Sequence, residues 1–264
     1  ELEEYNKKLT MHNPDDTLKQ VGVVPWWTYG YANSIFTWGW AFGGEFYNIE
    51  TGEVTADHPN NVRALEWMDE LVRFFGGMQA VDLLNSGLPS NHNSFMSGRI
   101  AMAPWGPWEL PRFWSYSPDL RFGISFVPHA EGAQPNPTWV GGHKIGIPRG
   151  AKNIEEAWEF LKFIAADPQG TAILAAPIRW FPAYRKSAIY NEYRRDRYMA
   201  PYVKLIETAR HQRPVMPAGE TYFSELDRAV GVALNHEKPP RQALEEVKRV
   251  VEIKLAEILA SAGN

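Results

Sequence analysis

The run Phe95-Met-Ser-Gly-Arg-Ile-Ala-Met-Ala-Pro-Trp-Gly-Pro-Trp108 decides how this chain is read. A helix end gives way to a short apolar strand, Ile100 to Ala103, which empties into a loop holding two tryptophans. Gly106 and Pro107 restrict that loop, which predicts a Trp108 held stiffly at the C-terminal edge of a sheet. In open α/β sheets that edge is where ligands sit. A rigid indole suits the apolar face of a pyranose ring and keeps its N–H available to donate. Core or lobe packing is the plain alternative for any single tryptophan. Trp108 has company, however: Trp26, Trp27, Trp38, Trp40, Trp114, Trp139 and Trp180 also fall in or beside expected loops.

Composition narrows the classes. The 264 residues are enough for one large α/β domain or two lobes with real cores. With 11 Trp, 11 Tyr and 13 Phe, aromatics make up 13% of the chain. A net charge of −4 without a long basic run leaves no footprint for nucleic acid. Arg194-Arg195-Asp196-Arg197 is short and mixed, as a solvated helix face is. The absence of cysteine excludes disulfides, thiol catalysis and cysteine-ligated metals. No apolar run is long enough to span a bilayer. Glu1-Leu-Glu-Glu-Tyr-Asn-Lys-Lys-Leu9 already reads as the middle of a helix, so a mature or trimmed chain is expected.

Along the chain, Val21 to Val24 reads as a strand, and the aromatic segment from Trp26 to Phe42 has helical spacing from Ala32 onward. Gly43-Gly44 breaks it, a hairpin-like turn follows at Glu50 to Glu53, and Asp57 is the expected cap of the next helix. Val62, Leu65, Met68, Leu71, Val72 and Phe75 mark its buried stripe. Arg121 to Val127 and Val140 to Pro148 read as strands. Asn153 opens a helix burying Ala157, Phe160, Leu161 and Ile164, and Asp167-Pro168 starts another. Further helices are expected near Ser187–Arg195, Tyr198–His211 and Gly219–Leu234. A long amphipathic helix bearing Leu244, Val247, Val251, Leu255 and Ile258 ends the chain. Trp67 and Trp158 lie in mid-helix and read as core. The whole is α/β, a mixed sheet with covering helices.

Signatures of catalysis are missing. There is no nucleophile elbow, phosphate loop, dinucleotide fingerprint or zinc-protease motif, and the histidines lack metal-ligand spacing. His143, after Gly141-Gly142, could face a ligand or solvent. A glycosidase needs two carboxylates flanking the scissile bond, and Glu45 and Glu109 are the acids nearest the aromatic loops. That leaves a carbohydrate-active hydrolase, with aromatic subsites, as the rival to a binding protein.

The segment FMSGRIAMAPWGPWELPRF, then RFGISFVPHAEG and GGHKIGIPRGAKNIEEAWEFLKFI, resembles the family-1 extracellular solute-binding proteins of bacterial ABC importers, the maltose-binding-protein-like sugar receptors. Gly43-Gly44 after an aromatic helix, the Ile178-Arg-Trp-Phe-Pro-Ala183 loop and the helix pair after Met216-Pro217 recur in the same order. The resemblance implies a type II periplasmic-binding-protein-like fold. Residues 1–144 would be lobe two, 145–212 a segment crossing back to lobe one, and 213–264 C-terminal helices returning to lobe two. The family's amino-terminal lobe has no counterpart here, so the lobe-one segment is expected to expose an apolar face.

By the same resemblance, Trp108 matches a sugar-stacking tryptophan, and Trp38 or Trp40 supplies a second aromatic. Tyr222 and Phe223 match a region that adds another, Arg179 and Trp180 lie in a ligand-contacting loop, and Gly142 sits at a crossover where a small residue permits close approach. Glu45 is the acid nearest these loops. The function implied is an extracytoplasmic receptor, periplasmic or extracellular with a possible lipoprotein anchor outside this chain. It would deliver a sugar or oligosaccharide to an ABC permease. Neither cofactor nor metal is implied, and the expected partners are the sugar, the permease and the missing lobe.

Overall fold

The computed structural model describes residues 1–27 and 29–262. The chain divides into two compact units. The larger comprises Glu1–Trp105, Val127–Trp139 and Arg210–Asn264, and the smaller Gly106–Phe126 and Val140–Ala209. The stretch Gly106–Phe126, placed by sequence within 1–144, thus belongs with the smaller unit. The reason is packing: from this stretch Phe122 stacks on Tyr198 at 5.0 Å, and Trp114 meets Tyr198 at 6.0 Å.

In the larger unit the apolar strand forms as Leu18–Val23. It pairs antiparallel with Met11–His12 and parallel with Ile100–Met102, in the register Val21 to Ile100 and Val23 to Met102. The sheet is therefore mixed, with Leu18–Val23 in its middle. Helix Leu2–Leu9 is tied to it by Asn6, a buried residue whose side-chain oxygen accepts the Val23 N–H at 2.8 Å. The hairpin pairs Tyr47–Asn48 with Glu53–Val54, and Gly52 turns it at φ +75°.

Helix Tyr31–Ala41 forms the centre of the core. Its sequence is apolar or small on all sides, the pattern of a helix enclosed all round, and every residue from Ala32 to Ala41 is buried. No local side chain caps it; the Ala32 N–H instead donates to the Asp227 carboxylate at 3.1 Å. Helices Pro59–Phe74 and Gly219–Leu234 pack against it, and Pro240–Ala262 completes the layer with Leu244, Val247 and Val251 fully enclosed. The cap of Pro59–Phe74 is His58, not Asp57. Its Nδ1 accepts the Asn60 N–H at 3.1 Å, because proline takes the first helical position and makes the residue before it the cap.

The smaller unit is helical: Leu110–Tyr116, Ile154–Ala166, Pro168–Ala175, Ile189–Tyr193 and Met199–Thr208. Leu110, Phe113, Ile189, Tyr193, Met199 and Val203 form its buried centre. Asp167 caps the third of these helices as expected, accepting the Gln169 and Gly170 N–H groups at 2.8 Å each.

Two expectations fail in this unit. Residues 121–127 and 141–148 are not strands. Exposure does alternate from Arg121 to Ser125, as in a strand, but a strand exists only where a neighbour takes its N–H and C=O groups. Trp158, expected in the core, is 52% exposed, and helix Ile154–Ala166 buries no residue at all. Ile154, Phe160 and Phe163 on that helix, and Ile173 and Leu174 on the next, are exposed as well. The helix has the apolar face its sequence demands, and no described residue covers it. Trp67, by contrast, is buried as expected.

Candidate functional site

Each unit carries its own aromatic surface. In the smaller one, a single-turn helix, Pro107–Glu109, follows Gly106. The Trp108 ring lies directly over Gly106: a Cβ there would fall inside the indole, so only glycine lets the ring take this place. Trp108 remains 40% exposed, a flat face on a stiff turn. Beside it, burial pushes the Glu109 carboxyl above its usual range, opposed by the Arg112 guanidinium 3.7 Å away.

Trp180 follows Arg179, whose φ of +54° reverses the chain after the turn Ala176–Ile178. The Trp180 N–H then donates to the Ala175 carbonyl at 3.2 Å. Its indole lies parallel to the His143 imidazole, with centroids 4.3 Å apart and planes at 10°. His143 is thus brought onto an aromatic face. The Arg179 guanidinium lies 5.0 Å over Trp114 and pairs with Glu192 at 3.2 Å and Asp196 at 3.8 Å, which ties down the turn before Trp180. Gly142 is exposed with open space where a Cβ would stand, so no protein neighbour requires glycine there.

In the larger unit the expected aromatics separate into framework and surface. Trp38 is framework: it is buried, donates its indole N–H to the Pro25 carbonyl at 3.1 Å and tilts against Trp67 at 4.8 Å. Tyr222 is framework too, fully buried with its hydroxyl donating to the Phe46 carbonyl at 2.6 Å. Both were expected in the contact set; the structure shows them buried, with the polar tip of each already hydrogen-bonded. Glu45 is exposed at the end of the aromatic helix, where its backbone carbonyl accepts from the Asn61 side chain.

Trp40, buried as well, has a different neighbourhood, with Phe36 stacked on it at 5.3 Å. Its ring is parallel to His211, with centroids 5.0 Å apart and planes at 11°, and Trp139 approaches at 6.3 Å. Trp139 donates its indole N–H to the Thr37 hydroxyl at 2.9 Å. Partial burial, with the Arg210 charge adding, lowers the His211 pKa and favours the neutral ring. The Arg213 guanidinium sits 5.1 Å from the Trp139 ring centre and 5.4 Å from that of Phe223. Sequence reasoning missed His211 and Arg213 because their partners come from distant segments, and only the aromatic richness hinted at them.

Among the described residues no group of His, Asp or Glu side chains could hold a metal ion, and no helix is long and apolar enough to cross a membrane.

The profile of the bacterial extracellular solute-binding protein family matches residues 1–171. The maltotriose-binding protein of Pyrococcus abyssi is 24% identical over 194 residues, which is 67% of this chain and 41% of that protein. Among solved structures, CpMnBP1 with mannobiose bound is similar with a TM-score of 0.83 at 22% identity, over 95% of this chain and 62% of the other. The maltose/maltodextrin-binding domain MalE of Bdellovibrio bacteriovorus, bound to maltotriose, gives 0.73 at 18% identity over 97% and 65%. The chain thus spans about two fifths of the curated relative and less than two thirds of these neighbours, with their type II periplasmic-binding-protein fold. A family profile over most of the chain and a shared fold agree with the mixed sheet, the enclosed aromatic helix and the glycine-seated tryptophan: the chain belongs to the bacterial extracellular solute-binding proteins.

Proposed function

We propose that this chain is the greater part of a sugar or oligosaccharide receptor that serves an ABC importer outside the cytoplasm and performs no chemistry itself. The observation that carries this reading is Trp108, a large indole left open to solvent and locked over Gly106. A rigid, half-open indole offers the apolar face of a sugar a flat surface whose conformation is already fixed. Within the smaller unit Trp180 and Gly142 are further candidates, and within the larger unit Phe223 and Glu45, while Trp38, Trp40, Tyr222 and Arg179 support the elements that carry them. The relatives named above support the ligand class. Lobe two would be the larger unit, and lobe one would include the smaller. The exposed apolar side chains of Ile154, Trp158, Phe160, Phe163 and Ile173 form a face that further residues of lobe one would cover. A permease in the membrane is the partner that receives the sugar.

Calorimetry and thermal shift with maltotriose, mannobiose and longer oligosaccharides test this. A ligand at 100 times its Kd should stabilise the chain by about 2.7 kcal/mol, and Trp108→Ala should weaken binding by roughly 2 kcal/mol without lowering the melting temperature. Absence of any sugar-dependent shift overturns the proposal. So does turnover of an aryl glycoside lost in Glu109→Gln, which would make the raised Glu109 carboxyl a general acid.

A further inference from the structure

Arg213 is held in an unusual way. Its guanidinium lies within 5.1 Å of the Trp139 ring centre and 5.4 Å of Phe223, so two flat faces fix it. Among the described residues it has neither a carboxylate at ion-pair distance nor a hydrogen-bond acceptor, whereas Arg179, Arg194 and Arg228 each have an acid. Aromatic faces hold an arginine in place without consuming its N–H fork. The local field is positive as well. Arg210 is close enough that its charge disfavours protonation of His211, and His211 stacks on Trp40 beside Trp139. Trp40, Trp139, Phe223, His211, Arg210 and Arg213 all belong to the larger unit.

A half-buried cation of this kind constrains what can cover it. A neutral sugar laid on Trp139 or Phe223 would strip water from the guanidinium and return only hydroxyl contacts, leaving a desolvated charge without a counter-charge. A carboxylate supplies that counter-charge and matches the planar fork with two parallel N–H···O bonds. We infer that the surface formed by Trp139 and Phe223 takes a sugar bearing a carboxylate, a uronic acid or oligouronide, and that Arg213 is its bidentate partner. This inference rests on the sugar-receptor reading and names the ligand class for it.

The test is calorimetric titration of the whole chain with matched disaccharides. Each pair has a neutral member (maltose, galactobiose or mannobiose) and the corresponding uronate, measured at low and high salt. At least one uronate should bind about tenfold or more tightly than its neutral parent. That preference should shrink as salt rises and vanish in Arg213→Gln through loss of uronate affinity, with neutral-sugar affinity equal or higher because the uncompensated charge is gone. Arg213→Lys should recover only part of it, because an ammonium cannot reproduce the fork. If neutral sugars bind and no uronate binds more tightly, the inference is overturned and the receptor reading stands. A preference that persists in Arg213→Gln removes Arg213 from the role. If no sugar of either kind binds, the receptor reading falls and this inference with it.

Discussion

Two helices of this molecule have much the same sequence character and opposite fates. Gly219–Leu234 and Ile154–Ala166 each carry apolar residues at helical spacing and polar residues elsewhere. The first buries Tyr222, Leu226, Ala229, Val230, Ala233 and Leu234, whereas the second buries nothing. An amphipathic pattern therefore states a demand for a partner and says nothing about whether the partner is there. Gly219–Leu234 meets its partner in Tyr31–Ala41, a helix with no polar side to spare. Ile154–Ala166 packs beside Pro168–Ala175 yet leaves its large side chains in water.

The contrast is open to measurement. The largest effect should come from Leu226→Ala, which removes a fully enclosed side chain and should cost about 3 kcal/mol of unfolding free energy in urea. Phe160→Ala, 61% exposed, should cost under about 0.5 kcal/mol in the same chain. Equal costs would mean that the smaller unit's helix is covered in solution, and a concentration-dependent melting temperature would identify a second copy as the cover.

Tyr222→Phe should come next. It leaves the Phe46 carbonyl with only the Thr55 N–H at 3.2 Å and should lose about 0.5–1.5 kcal/mol while sugar affinity stays put. A collapse of affinity at unchanged stability would return Tyr222 to the ligand set. Hydrogen exchange sharpens the comparison further: amides from Val230 to Leu234 should be protected far longer than those from Phe160 to Ile164. The smallest effect is on pH. The His211 pKa is lowered in the folded chain, so the unfolded state binds the extra proton between the ordinary histidine value, about 6.5, and the lower folded value. Stability should be fully present above that window and fall as the pH drops through it, a slope that His211→Gln should remove.

The sequence showed most where information is local. The Gly219–Leu234 helix was legible to its last residue from its stripe, and Asp167-Pro168 announced a start that the carboxylate then capped. Strand alternation in Arg121–Val127 was equally local, but the ladder that makes a strand depends on another segment. Trp108 was legible because its neighbours Gly106 and Pro107 fix it. Trp38 and Trp40, two residues apart on one helix, point to different sides of it. Which of them would meet the Pro25 carbonyl and which His211 depended on what packs from far along the chain. Arg213, Trp139 and Phe223 converge from three separate stretches, and no motif spans them.

That dependence on distant segments has a consequence in time. The N-terminus of helix Tyr31–Ala41 is capped by Asp227, 195 residues later, and Phe46 waits for Tyr222 across 176 residues. At about 5–20 residues per second of synthesis, the ribosome needs roughly 10–40 s to deliver those partners. Throughout that interval an all-round apolar helix has nothing to pack into, so the larger unit cannot finish folding until Gly219–Leu234 has emerged. A newly made chain should thus stay open, and within reach of chaperones, until that helix has been made.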